Sequence, residues 1–359
     1  MEGFILSKEG IDMSRQNFPA INTKTRVLKS RLLKDQDYIN LMQMENVEEQ
    51  VNYLKNNTVY GEVLEDIDDF NWDIQQIEIH LKRYLIYQME KIIKYFTREY
   101  KEFYQTLLLR YEIEDLKQYL RALERKEEVP KVACFFFKHS TFDCNKLSKI
   151  TNIGEFIDGL KGTIYYDILA PYKEEEDPRT TFYMEMNLDR LYFNRLKNKS
   201  EKLNKADRKV FEQILGENVD LLNIEWIYRG IKFYNLLPEE LINYVLPHGL
   251  EFKYKDLKKM CYSDIDTLKE IVLNSKYSFL FDTKKDVELF MERRIERYLY
   301  FKFKKLFRKG HMNILITIAY FHLLEFEIRD IISMLEAKRY GFTLEDTINY
   351  LVKKVEGSD

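Results

Sequence analysis

The sequence predicts an all-α protein, and three observations support that prediction. A pattern of Glu, Leu or Ile three places on, and Arg five places on occurs three times: Glu78, Leu81, Arg83; Glu185, Leu188, Arg190; Glu292, Ile295, Arg297. The copies stand 107 residues apart in both intervals. The 359-residue chain holds only 12 Gly and 6 Pro against 33% charged residues, with abundant Leu, Ile, Glu and Lys, a composition of good helix formers. Third, the neighbours of each copy keep helical spacing. Counted from the Leu or Ile, the residue three on is Tyr84, Leu191 or Tyr298, four on Leu85, Tyr192 or Leu299, and eight on Met89, Leu196 or Phe303. At about 100° per residue these positions share one stripe, so each copy is an amphipathic helix.

The same geometry separates the two charges. The Glu lies about 60° round from the Leu or Ile, inside the apolar stripe, while the Arg lies on the opposite face, so the pair cannot close within one helix. Glu78, Glu185 and Glu292 are therefore read as structural carboxylates on a packed face. Each needs a partner from a neighbouring element, because an unpaired buried carboxylate is costly. Arg83, Arg190 and Arg297 are read either as solvated surface or as a common face presented to a partner.

In chain order, residues 1–25 are polar, aperiodic and contain Pro19, and read as an irregular leader. A basic helix with Arg26, Lys29, Arg31 and Lys34 leads from Thr25 through Tyr38 to Asn46. There Asn46, with Glu49 three places on, forms a capping box ahead of Val51 and Leu54. The same start recurs at Asn152 with Glu155, and at Asp264 before Ile265. Each short helix is followed by a matching Tyr, in Thr58-Val59-Tyr60, Thr163-Ile164-Tyr165 and Ser275-Lys276-Tyr277. Behind each long helix comes another apolar-periodic one, marked by Ile113, Leu116, Leu120; by Ile224, Ile227, Ile231; and by Ile328, Ile331, Leu335. Breakers stand at the joins, Pro130 after the first unit and Pro247 with Gly249 after the second. Tyr172 to Pro178, with Glu174, Glu175 and Glu176, reads as an acidic loop; Val132 to Phe137 reads as buried helix or extended connector. The organisation is thus a leader over 1–25 and three helical repeats over 26–129, 130–247 and 248–357. Units of this kind either stack as an open solenoid or close about an approximate threefold axis.

Composition narrows the function. A net charge of −3 provides no global field to recruit nucleic acid or anionic lipid. Three Cys (Cys134, Cys144, Cys261) and the absence of a signal pattern in Met1 to Leu28 point to a reducing setting without disulfides. The longest apolar run, Ile314 to Leu324, is too short for the roughly 20 residues of a membrane span. No GxxxxGK[ST] loop is present, since Gly159-Leu160-Lys161-Gly162-Thr163 lacks its spacing, so no direct nucleotide binding is expected. Cys134, His139 and Cys144 do not form a standard zinc spacing, and the five His form no paired ligand set, so neither metal nor cofactor is expected. No Ser sits in a GxSxG elbow, and no catalytic residue is assigned. Phe301-Lys302-Phe303-Lys304-Lys305-Leu306-Phe307-Arg308-Lys309 has the character of a membrane-surface helix, although its position on the third long helix makes its Phe/Leu side core.

One further set of residues carries a resemblance. Asn223-Ile224-Glu225-Trp226-Ile227-Tyr228-Arg229-Gly230-Ile231-Lys232, then Leu237-Pro238-Glu239-Glu240 and Leu246-Pro247-His248-Gly249, resemble the C subunit of the prokaryotic V/A-type rotary ATPases, the counterpart of the d subunit of the eukaryotic vacuolar enzyme. Thr25-Arg26-Val27-Leu28-Lys29-Ser30-Arg31-Leu32-Leu33, Tyr60-Gly61 and the Glu78-x-x-Leu81-x-Arg83-Tyr84 of the first long helix are similar to that family's other motifs. The likeness runs from about residue 25 to the end and leaves the leader uncovered. It implies an all-helical funnel of three pseudo-equivalent units on the cytoplasmic face of the membrane. Such a funnel is noncatalytic, caps the membrane rotor ring and holds the central stalk subunits D and F, so that ATP hydrolysis or synthesis is linked to transport of hydrogen or other ions. The competing reading is a helical-repeat adaptor that binds other partners.

Overall fold

A computed structural model of the chain describes residues 18–65, 74–127, 141–175, 177, 179–281, 287–310 and 313–354. Among them all regular structure is helical. The first part holds α1 (Phe18–Lys29), α2 (Asp35–Gln43), α3 (Val47–Asn57), the single turn α4 (Gly61–Leu64) and the long helices α5 (Ile74–Ile93) and α6 (Arg98–Arg125). Next come α7 (Cys144–Leu147), α8 (Ile153–Gly159), α9 (Tyr166–Leu169), the long α10 (Thr180–Ser200) and α11 (Lys205–Lys232), and α12 (Pro238–Tyr244). The last part holds α13 (Tyr254–Cys261), α14 (Ile265–Leu273), the long α15 (Val287–Lys309) and α16 (Leu315–Arg339), and α17 (Leu344–Tyr350).

The helix starts follow the capping chemistry. Asn46, Asn152 and Asp264 each accept a hydrogen bond from the backbone N–H three residues on, at 2.9, 2.8 and 2.8 Å, which satisfies one of the free donors of the first turn. At the far end of each short helix a hydroxyl closes the turn. Thr58, Thr163 and Ser275 donate to the carbonyls of Leu54, Leu160 and Val272 and accept from the N–H of Tyr60, Tyr165 and Tyr277. The three Tyr are thereby aimed inward, and all are 0% exposed.

Two readings of the N-terminal region change. Helix α1 already covers Phe18–Lys29, within the span read as a leader, because Ile21 and Leu28 are buried in the core against α16. That helix does not continue to Asn46 but ends at Lys29, and the N–H of Leu33 donates instead to the Glu327 carboxylate at 2.8 Å. Residues 1–17, Pro130, Val132 to Phe137, Cys134, His139, Glu176, Pro178 and His311 lie outside the described residues. Cys144 begins α7, and Cys261 is a buried free thiol.

Buried carboxylates on the second long helices bind the elements together. Tyr165 donates to Glu112 of α6, Tyr277 to Asp220 of α11 at 2.8 Å, and Tyr60 to Glu327 of α16 at 2.8 Å. Each carboxylate also takes backbone N–H groups from the segment before the next short helix: Thr141 for Glu112, Leu250 and Glu251 for Asp220, Leu33 for Glu327. These donors keep the carboxylates solvated by protein in place of water. The close approach at Asp220 requires a glycine, since a Cβ on Gly249 would collide with the Asp220 carboxylate. One turn further along, Asn223 bonds Leu246 through both its amide groups, and Asp330 accepts from Val352 and Lys353. Lys353 reaches the carbonyl of Leu33 at 3.1 Å and Asp35 at 2.8 Å, so the last described segment lies against the first.

The N-terminal ends of α6, α11 and α16 meet one another. Tyr100 of α6 donates to Asp207 of α11, which also accepts from the N–H of Ile314 at the head of α16 at 3.3 Å. These residues stand 107 positions apart in both intervals.

Candidate functional site

Further along the long helices lies a polar cavity of about 520 Å³. Its walls come from α5, α6, α15 and α16, with Tyr350 of α17 at the edge. Glu78, Glu114, Glu292, Glu296, Glu325 and Glu336 face it, against Lys82, Arg110, Arg293 and Arg329. Beneath, Met89, Leu107, Tyr192 and Phe321 are buried around a smaller space next to Glu325, so the polar groups rest on an apolar floor.

The charges are held in a lattice. Glu325 of α16 lies 3.2 Å from Arg110 of α6 and 3.3 Å from Arg329 on its own helix, and accepts from the Tyr111 hydroxyl at 3.4 Å. Burial alone would raise the pKa of Glu325, but Arg110, His322 and Tyr111 hold it down to about 2. Arg329 also pairs with Glu296 of α15, which Arg293 meets at 2.8 Å. Glu225 of α11 has the opposite fate: burial first, then the nearby Glu292, pushes it up to about 7, against the pull of Arg229. A surface of this kind offers ion pairs of both signs, to which a mixed-charge face is complementary.

Leu81 and Leu188 are fully buried and Ile295 is 7% exposed, so the central position of each helix pattern is core. The flanking Glu do not share one environment. Glu185 takes a two-pronged bond from Arg121 of α6 at 2.6 and 2.8 Å, a partner from a neighbouring element. Glu78 pairs at 2.5 Å with Lys82 one turn on, while the Glu292 side chain is 74% exposed and 4.0 Å from Arg329. The expected burial fails for Glu78 and Glu292 because the edge of their stripe borders the cavity, where water reaches it.

The Arg set also divides. Arg190 donates to the carbonyl of Asn243 at 2.7 Å, and Arg297 to those of Ile348, Asn349 and Leu351, so both hold the C-terminal ends of the following short helices α12 and α17. These two carbonyl sites sit in matching Ile-Asn-Tyr segments at 242–244 and 348–350. Arg83 is exposed, and the corresponding stretch of its unit falls outside the described residues.

Sequence reasoning missed Glu112, Asp220 and Glu327, and with them Asp115, Asn223 and Asp330. The available signal was their spacing of 108 then 107 residues in both sets, obscured by the exchange of Glu, Asp and Asn. Among the described residues no group of three His, Cys, Asp or Glu side chains could hold a metal ion, and no helix is long and apolar enough to cross a membrane.

Comparison with known proteins gives this architecture a context. A family model described as ATP synthase (C/AC39) subunit matches residues 21–350. The chain is similar to the C subunit of the A-type ATP synthase of Methanosphaera stadtmanae, at 23% identity over 89% of this chain and 83% of that protein. It is also similar to the same subunit of the A-type ATP synthases of Methanosarcina mazei, at 25% over 69% and 68%, and of Methanocaldococcus jannaschii, at 22% over 97% and 88%.

Proposed function

The chain belongs to the ATP synthase (C/AC39) subunit family, and from that premise we propose that it is the noncatalytic socket of the central rotor. In this reading it sits on the cytoplasmic face of the membrane rotor ring and receives the foot of the central stalk, subunits D and F, in the polar cavity. Rotation passing through it links ATP hydrolysis or synthesis to ion transport.

The units over 26–129, 130–247 and 248–357 close about an approximate threefold axis into a funnel, with α1 docked on α16. The observation that carries this reading is the cyclic order of the buried bonds. Glu112 to Tyr165, Asp220 to Tyr277 and Glu327 to Tyr60 join the first unit to the second, the second to the third and the third to the first. An open superhelix has no place for the last of these bonds. Contact among Tyr100, Asp207 and Ile314, which occupy matching positions, supports the same axis and gives the funnel its narrow end.

A torque-transmitting joint needs stiffness and broad surfaces, and close-packed helices bound by satisfied buried carboxylates supply both. The lattice of Arg and Glu in the cavity suits a joint that engages a partner through ion pairs and loosens with salt. Arg83, with an exposed side chain, is the member of the Arg set proposed to touch a partner directly.

Co-purification tests the reading. The tagged chain should retain the stalk subunits and the detergent-solubilised rotor ring, with stalk retention falling as salt rises. Recovery of neither partner would overturn it.

A further inference from the structure

The basic stretch at the end of α15 is not explained by the cavity. Phe303 and Phe307 are 0% and 7% exposed and belong to the core. On the opposite side of the helix Phe301, 49% exposed, stands among exposed Lys304, Lys305, Arg308 and Lys309. Helix α1 extends this face. The Arg26 guanidinium donates to the Gly310 carbonyl at 3.1 Å and lies 5.5 Å from the Phe307 ring centre. Lys29 is close enough to Lys304 for burial, then Lys304 and Lys353, to lower its pKa.

None of these six cations pairs with a carboxylate among the described residues. The one carboxylate acting on Lys29 is Glu327, which is buried and already held by Tyr60 and Leu33. The position of Lys304 is not an unopposed cation in the other two units: Lys197 pairs with Glu201 and Glu212, and Glu90 stands 214 residues before Lys304. The repeat therefore does not itself require an unopposed cation at the position of Lys304. Crowded like charges repel, and they persist at lower cost where a surface of opposite sign covers them. An exposed aromatic set among Lys and Arg on the outer flanks of two helices is the chemistry of an anionic membrane surface rather than of a peptide groove.

We propose that the face formed by α1 and the C-terminal half of α15 binds an anionic phospholipid surface. Attachment would be direct, in addition to anything mediated by protein partners, and the proposal does not depend on the coupling role.

The test is co-sedimentation of the full chain with vesicles of phosphatidylcholine alone or mixed with phosphatidylglycerol. Binding is expected only to the mixed vesicles and should weaken with salt. Replacing Lys304, Lys305, Arg308 and Lys309 together by Gln should weaken it at least tenfold, since each such charge near an anionic leaflet changes affinity about fivefold. The control variant Lys255→Gln, Lys258→Gln, Lys259→Gln, on exposed positions of α13, should bind like the parent. As a second readout, Phe301→Trp should add emission that shifts to the blue only with mixed vesicles. Failure of the parent chain to bind mixed vesicles, as for a face that serves an acidic protein, would overturn the proposal. So would equal binding by the four-site Gln variant, or an unshifted Phe301→Trp.

Discussion

At the residue scale, stability depends on carboxylates placed where water cannot reach them. Glu112, Asp220 and Glu327 are 1%, 0% and 5% exposed and each relies on one buried Tyr hydroxyl. Tyr60→Phe or Tyr277→Phe is expected to cost about 1–3 kcal/mol in urea unfolding, because a buried acceptor loses a donor and gains no water. Loss of less than a few tenths would mean that the site readjusts. The pH dependence has a definite sign. Burial pushes Glu225 and Glu327 up to about 7 and Asp330 to about 6, whereas the unfolded chain titrates near 4. The native chain thus binds more protons between about pH 4 and pH 7, and stability falls as pH rises through that window and levels off above it. Glu325, held at about 2, acts oppositely: its contribution is present above about pH 4 and lost as pH falls toward 2. Melting temperature is therefore expected to peak near pH 4, and Glu225→Gln should flatten the decline from there toward pH 7. An unchanged slope would rule out the raised Glu225. None of these carboxylates was legible in the sequence, because a charged residue on a helix reads as solvated unless its cross-chain donors are known.

At the element scale the sequence was more informative. Caps are local chemistry, so Asn46, Asn152 and Asp264 could be read directly, and each forms the hydrogen bond its type and position require. Asn152→Ala is expected to cost about 1 kcal/mol in thermal or urea unfolding. The role of Arg297 was hidden, since its partners are backbone carbonyls and leave no residue-type signature. Arg297→Ala should loosen α17, seen as faster amide exchange over residues 344–353, and lower stability by about 1–3 kcal/mol. Arg83→Ala should leave stability within about 0.5 kcal/mol of the parent, as for an ordinary surface position. If Arg83→Ala proves as costly as Arg297→Ala, its guanidinium is structural too. The helical state of residues 18–25 was missed for a related reason: Pro19 signals irregular chain unless the burial of Ile21 against a distant helix is already known.

At the scale of the whole molecule, the interval of 107 residues announced matching helices but not how they meet. The proposed closure rests on long-range bonds such as Glu327 to Tyr60 and the contacts of Tyr100, Asp207 and Ile314, and the cavity on walls from four helices of two distant parts of the chain. Packing of that kind is set by side chains hundreds of residues apart and has no local pattern. It also explains why Glu78 and Glu292, placed on a packed stripe by periodicity, border water instead.

The most direct measurement is the accessibility of the cavity wall in the assembled rotor. Ser333 lines the cavity, and in a variant with Cys134, Cys144 and Cys261 replaced by Ala or Ser, Ser333→Cys should react with a maleimide in the isolated chain. Stalk subunits D and F should protect it, while Thr23→Cys on the exposed face of α1 stays reactive. Unchanged labelling of position 333 in a complex shown to contain the stalk would contradict a socket built from this cavity.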